Sequence, residues 1–188
     1  GWPGTESWEE FLRICGKKHS LVVHVLGNHE LWSKERTRAT SWTPEEIELQ
    51  CAKFNVVVLN NSSMEYRGVT FVGSTLWTPL LSIDGSRLAD TQVAPMNDLR
   101  RITGFTPAVW RTLFKQSFSF LVSEMDFLQA AKKPCVIVTH HAPSFECIGD
   151  KYRGDEVNGC YASELLSNVF DLSFVKAWIF GHTHKTMR

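Results

Sequence analysis

The stretch LVVHVLGNHELW, Leu21 to Trp32, decides how this chain is read. Its first six residues are mostly apolar and continuous, the pattern of a strand covered on both faces. They stop at Gly27, and Asn28, His29 and Glu30 follow at once. A glycine there lets the backbone pass where a Cβ would clash. The residues after it carry side chains suited to metals and protons.

The same ending occurs twice more. The run at 136–138 leads into Thr139-His140-His141-Ala142-Pro143, and the run at 177–180 leads into Gly181-His182-Thr183-His184. In α/β proteins ligands bind just beyond the carboxyl ends of strands. Five of the seven histidines stand at these three ends: His29, His140, His141, His182 and His184. If strand geometry continues through 181–184, His182 and His184 face one pocket, because alternate residues share a face. Gly181, like Gly27, is read as a place where the backbone turns sharply. An Asn oxygen is a neutral hard ligand beside neutral imidazoles. His24, inside the first run, is expected to be a hydrogen-bonded core histidine.

Around these ends the remaining pattern is α/β. Strand-like runs are expected at 21–26, 55–59, 69–76, 135–141 and 175–180. Ser7 with Glu10, and Thr43 with Pro44 and Glu46, read as capping boxes that open helices. A long amphipathic helix follows Thr106-Pro107, with Leu113, Phe114, Phe118, Leu121, Val122, Met125 and Leu128 as its core stripe. A weaker helix is expected from about Ala162 to Asn168, and 78–104 reads as a long loop or insertion. One domain, spanning 1–188, is expected.

The bulk numbers restrict the function classes. Lys plus Arg and Asp plus Glu both total 20, so nothing marks a nucleic-acid or anionic-membrane surface. No apolar run approaches the roughly 20 residues of a membrane span. The five cysteines are odd in number and form no C-x-x-C, which points to a reducing, cytoplasmic setting with unpaired, mostly buried thiols.

GNHE, THHAP and GHTH, in this order and spacing, closely resemble the last three motifs of calcineurin-like metallophosphoesterases. GVTFVGSTLWT, MNDLRRI with FTP after it, and YRGDEVNGCYASEL resemble the bacterial-type phosphohydrolases of that superfamily. The resemblance implies the αββα sandwich, two sheets flanked by helices. It implies a dinuclear centre of divalent ions (Mn, Fe, Zn or similar) and a small-molecule phosphoester substrate, mono- or diester. Asn28, His140 and His182 would hold the second metal and His184 the first. His29 would protonate the leaving group or stabilise the phosphoryl oxygens. His141 would neighbour the substrate, and MNDLRR would bring Asp98, Arg100 or Arg101 over it as a clamp; Asn158 and Ser163 are further candidates to face the pocket.

Two motifs of that family have no counterpart here: Asp-x-His, which gives ligands to the first metal, and Gly-Asp, whose carboxylate bridges the metals. Gly149-Asp150 and Gly154-Asp155 lie in a polar loop and are not substitutes. The chain therefore reads as the middle of a phosphoesterase, lacking leading strands and closing strands. The expectation is at most one weakly bound ion and impaired turnover. The alternative function is a non-catalytic remnant that binds a phosphorylated ligand or a protein. A mononuclear zinc hydrolase on His140, His182 and His184 is a third reading.

Overall fold

The computed structural model describes residues 2–33, 41–166 and 171–184. Its order is α1 (Glu6–Lys18), β1 (Val23–His24), α2 (Pro44–Ala52), β2 (Val57–Val58), β3 (Ser62–Tyr66) and β4 (Val69–Ser74). Then come α3 (Asp90–Val93), α4 (Asn97–Arg101), α5 (Pro107–Ala130), β5 (Cys135–Thr139) and β6 (Val175–Ile179).

Two sheets form. One is the parallel pair β1–β2; the other runs β3–β4–β5–β6. β3 and β4 make an antiparallel hairpin, and β4, β5 and β6 are parallel. The hairpin turns at Arg67 and Gly68, both at positive φ (50° and 78°), the signature of a turn whose twist suits two paired strands.

The alternation along β4 assigns its two faces. Val72 packs into the cluster containing Leu121, Met125 and Leu128 of α5 and Ile137 of β5. Gly73 faces the other sheet so closely that a Cβ there would lie 2.2 Å from Cβ of Leu59 and 3.1 Å from Cγ1 of Val25. The outer side of the β1–β2 pair is covered by Trp8 and Leu12 of α1 and Ile47 and Cys51 of α2. Helix, sheet, sheet and helix therefore lie in layers, the expected sandwich.

The helix starts hold in part. Thr43 accepts from Glu46 N at 3.2 Å while Glu46 Oε2 accepts from Thr43 N at 2.9 Å, a complete capping box. Thr106 caps α5 through Val109 N. Ser7 does not cap α1: the helix already begins at Glu6, after Thr5, whose side chain makes no cap bond. The stripe on α5 buries Leu121, Met125 and Leu128 fully, together with Trp110 and Ser117, while Leu113, Phe114, Phe118 and Val122 are half-buried.

Other expectations give way to tertiary structure. The strands are shorter than the apolar runs, and β3 has no counterpart among those runs. Residues 162–166 form a bridge and a turn instead of a helix; 167–168 lie outside the described residues. The segment 78–104 is not a bare loop. It carries α3 and α4 and gives Leu80, Leu88, Val93, Leu99 and Ile102 to a core with Trp77, Phe105 and Trp110. His24 is half-buried, and its Nε2 finds no hydrogen-bond partner among the described residues. Four of the five cysteines, Cys51, Cys135, Cys147 and Cys160, are buried, and Cys15 is half-buried. Among the described residues no helix is long and apolar enough to cross a membrane.

Candidate functional site

Three chain segments, each leaving a strand, bring their polar side chains together. His140 follows β5 directly, and its backbone continues the ladder on both sides: its N–H donates to Ser74 O at 3.3 Å, and its carbonyl accepts from Gly181 N at 3.1 Å. Asn28 opens the short 3₁₀ turn His29–Leu31 beyond β1. His182 stands beyond β6.

The convergence is tight. His140 Nε2 lies 2.9 Å from Asn28 Oδ1 and 3.0 Å from His182 Nδ1. One ring nitrogen thus faces an amide oxygen and a second ring nitrogen, and a single imidazole proton can satisfy only one of them well. Three such donor atoms around one point suit a divalent cation of the Mn, Fe or Zn kind. Among the described residues no three His, Cys, Asp or Glu side chains gather to hold a metal. The convergent set is two imidazoles and an amide.

The protonation states agree with that use. Burial pushes His140 down to about 3, aided by neighbouring His182, and pushes His182 down to about 4. Both rings are neutral at pH 7, the form in which imidazole binds metals.

Gly27 makes the arrangement sterically possible. A Cβ there would stand 2.6 Å from His140 Cε1 and 2.8 Å from Glu30 Oε2, and Glu30 Oε2 accepts from Gly27 N at 3.0 Å. The reason for this glycine is close approach of a ring, since its φ is not positive. At Gly181 an added Cβ would meet His140 Nδ1 only at an ordinary 3.6 Å. The sharp turn expected there falls on His182 and His184 themselves, at φ 62° and 52°. Strand geometry therefore does not extend through 181–184, and β6 ends at Ile179. His184 still lines the same cavity, on its exposed side.

That cavity measures about 920 Å³ and is bounded by Asn28, His29, His140, Tyr161, His182 and His184 among others. Tyr161 stacks on His182 at 5.2 Å between ring centres. Asp150, Asp155 and Asn158 lie on its wall. A second cavity, about 580 Å³, adjoins it and shares Ile148, Asp155 and Asn158.

His29 is largely exposed, with its ring 3.8 Å from that of Trp32 and stacked on Trp2 at 6.1 Å. Partial burial against these indoles lowers its pKa; Asp98 and Glu30 pull the other way and do not prevail. No carboxylate among the described residues holds His29 protonated, which an acid at neutral pH would need.

The other candidates are placed as follows. His141 is fully buried behind His140, bonded through Nδ1 to Thr75 O at 3.1 Å, with Nε2 unpartnered among the described residues; it does not line the cavity. Arg101 lies with its guanidinium 4.8 Å from the Trp32 ring and 5.4 Å from the Trp2 ring, outside the cavity lining. Ser163 is buried and does not line the cavity.

Asp98 lines the cavity from α4 and is buried. It is 5 % exposed and accepts from Asn28 Nδ2 at 2.9 Å and Trp32 Nε1 at 2.7 Å through the same oxygen. Burial raises its pKa against the pull of those two hydrogen bonds. Its partners, and the stacking of Tyr161, carry no local sequence signal. The Trp32 contact with His29 has a weak one, the three-residue step on a helical turn.

A family model described as calcineurin-like phosphoesterase matches residues 2–186. Among curated proteins, "Uncharacterized protein L509" of Acanthamoeba polyphaga mimivirus is 27% identical over 205 residues, covering 100% of this chain and 70% of that relative. No solved structure gives a significant match.

Proposed function

The chain belongs to the calcineurin-like phosphoesterases, and on that premise we propose that it takes part in metal-dependent hydrolysis of a small-molecule phosphoester at the Asn28–His140–His182 cluster. The observation that carries the reading is that His140 Nε2 lies within hydrogen-bond distance of both Asn28 Oδ1 and His182 Nδ1. These three would hold one divalent ion, and His184 would contribute to a second. Bound there, such ions supply an activated water and stabilise phosphoryl charge.

The chain's own residues have separable tasks. Asn28, His140 and His182 present neutral donors, so attraction for the ion comes without added negative charge. His29 stands at the cavity with its ring braced by Trp32 and Trp2. Being neutral at pH 7, it offers one N–H, which suits hydrogen bonding to a phosphoryl oxygen better than protonating a leaving group. The cavity, about 920 Å³, leaves room for the organic part of the ester.

The alternative is a non-catalytic phospholigand- or protein-binding role at the same cluster, whose convergent groups are two neutral imidazoles and an amide. Hydrolysis of an aryl phosphomonoester and diester with added Mn²⁺ separates the readings, with His140→Ala as control. Activity abolished by chelator and by the control supports the hydrolase; a folded chain that binds phosphate compounds without turnover supports the binding role.

A further inference from the structure

We propose that Asp98 is the positioning residue of this centre: its carboxylate fixes the Asn28 amide so that Oδ1 faces His140 Nε2. The inference rests on the metal-centre reading above and adds to it a part supplied by the 78–104 segment.

An asparagine amide has two faces of opposite character, oxygen accepting and NH₂ donating, and can flip between them. Only the oxygen can serve as a ligand. A carboxylate accepts and does not donate, so the Asn28 NH₂ must turn toward Asp98 and the oxygen must turn away from it. The geometry follows that logic. Nδ2 is 2.9 Å from Asp98 Oδ1, and Asn28 Oδ1 is 2.9 Å from His140 Nε2. Asn28 itself is 4 % exposed, so no water competes easily for either face.

Asp98 is in turn held. Trp32 Nε1 donates to the same oxygen at 2.7 Å, which keeps it an acceptor. The Trp32 ring also carries Arg101 on one side of the site and His29 against it. One buried carboxylate therefore secures a ligand amide directly and, through Trp32, the wall on which His29 rests. A buried carboxylate is costly unless its bonds are used, and here both of these go to residues of the site.

The test compares Asp98→Ala and Asp98→Asn with the unaltered protein. The Asn substitution keeps an oxygen able to accept both bonds; the Ala substitution does not. Co²⁺ titration followed by ligand-field absorption reads the donor set directly. Co²⁺ affinity is expected to fall at least tenfold in Asp98→Ala and to stay within about threefold in Asp98→Asn, in a protein that remains folded. Equal affinity in Asp98→Ala and the unaltered protein overturns the proposal.

A second measurement decides where Asp98→Ala fails to fold or the unaltered protein binds no Co²⁺. In the metal-free protein the Asn28 side-chain NH₂ should show slow solvent exchange and a nuclear Overhauser effect to the Trp32 indole N–H, since both donate to one oxygen. A rapidly exchanging NH₂ without that contact overturns the proposal. Absent Co²⁺ binding with the contact present overturns the metal-centre reading instead.

Discussion

The Cβ that Gly27 lacks would stand 2.6 Å from Cε1 and 2.7 Å from Nδ1 of His140. The glycine and the imidazole therefore occupy space that only this pair can share. The ring has no room to retreat, because its Nε2 is pinned between Asn28 and His182. Gly27→Ala is expected to cost about 1–3 kcal/mol, the usual range for overpacking. It should also weaken Co²⁺ binding although no donor atom is changed. Urea unfolding and a Co²⁺ titration check the two parts; an unaltered Co²⁺ affinity would show that the ring moves freely.

A second close approach joins the two sheets. At Gly73 the obstructing atom is Cβ of Leu59, 2.2 Å from the added carbon. Gly73→Ala should destabilise severely, by several kcal/mol or to the point of insolubility. Because the conflict lies with Cβ, Leu59→Ala should give no rescue, whereas Leu59→Gly should restore part of the lost stability. Thermal melts of Gly73→Ala alone and combined with each Leu59 substitution test this.

Two capping substitutions should behave differently. Thr43→Ala removes a complete capping box and is expected to cost about 1 kcal/mol. Ser7→Ala, one residue inside α1, touches no cap bond and should lie within experimental error of the parent. Chemical denaturation of both resolves the contrast; equal losses would place the start of α1 later than observed, with Ser7 as its cap.

The metal-free protein should lose stability on acidification. His140 and His182 fall from 6.5 to about 3 and about 4, and His24 and His141 are lowered as well. Between those values and 6.5 the unfolded chain binds protons that the folded chain refuses, so unfolding free energy rises with pH across this window. His29 is lowered too, so Asp98, whose pKa is raised, acts in the opposite sense as one group against five histidines. Urea midpoints in chelator from pH 4 to pH 7.5 should climb and then level near neutrality. A flat profile would mean that the histidines are solvated.

What the sequence discloses follows local chemistry. Thr43-Pro44-Glu46 and Thr106-Pro107 announce helix starts because a cap is satisfied within four residues. The three polar strand ends announce the site because strands in α/β sheets deliver ligands at that edge. β3 escapes notice because Ser62–Tyr66 alternates weakly and faces solvent on one side, leaving no apolar run to detect. The left-handed backbone at His182 and His184 also escapes, since glycine is the natural suspect and Gly181 stands beside them. Asp98 is visible as an acidic residue in a loop. Its bonds to residues 66 and 70 positions away could only come from the folded chain.

The spacing along the chain has a kinetic side. Asn28 and His140 are 112 residues apart, and His182 adds another 42. No fragment of ordinary folding-intermediate size can hold the cluster, because contacts of that separation form late. An ion captured there reports that assembly is finished, and it stabilises the native state alone. Its presence should slow the unfolding rate while leaving the refolding rate almost unchanged, as expected of a tie absent from the transition state. The cluster is thus a latch on the finished fold as well as a chemical site.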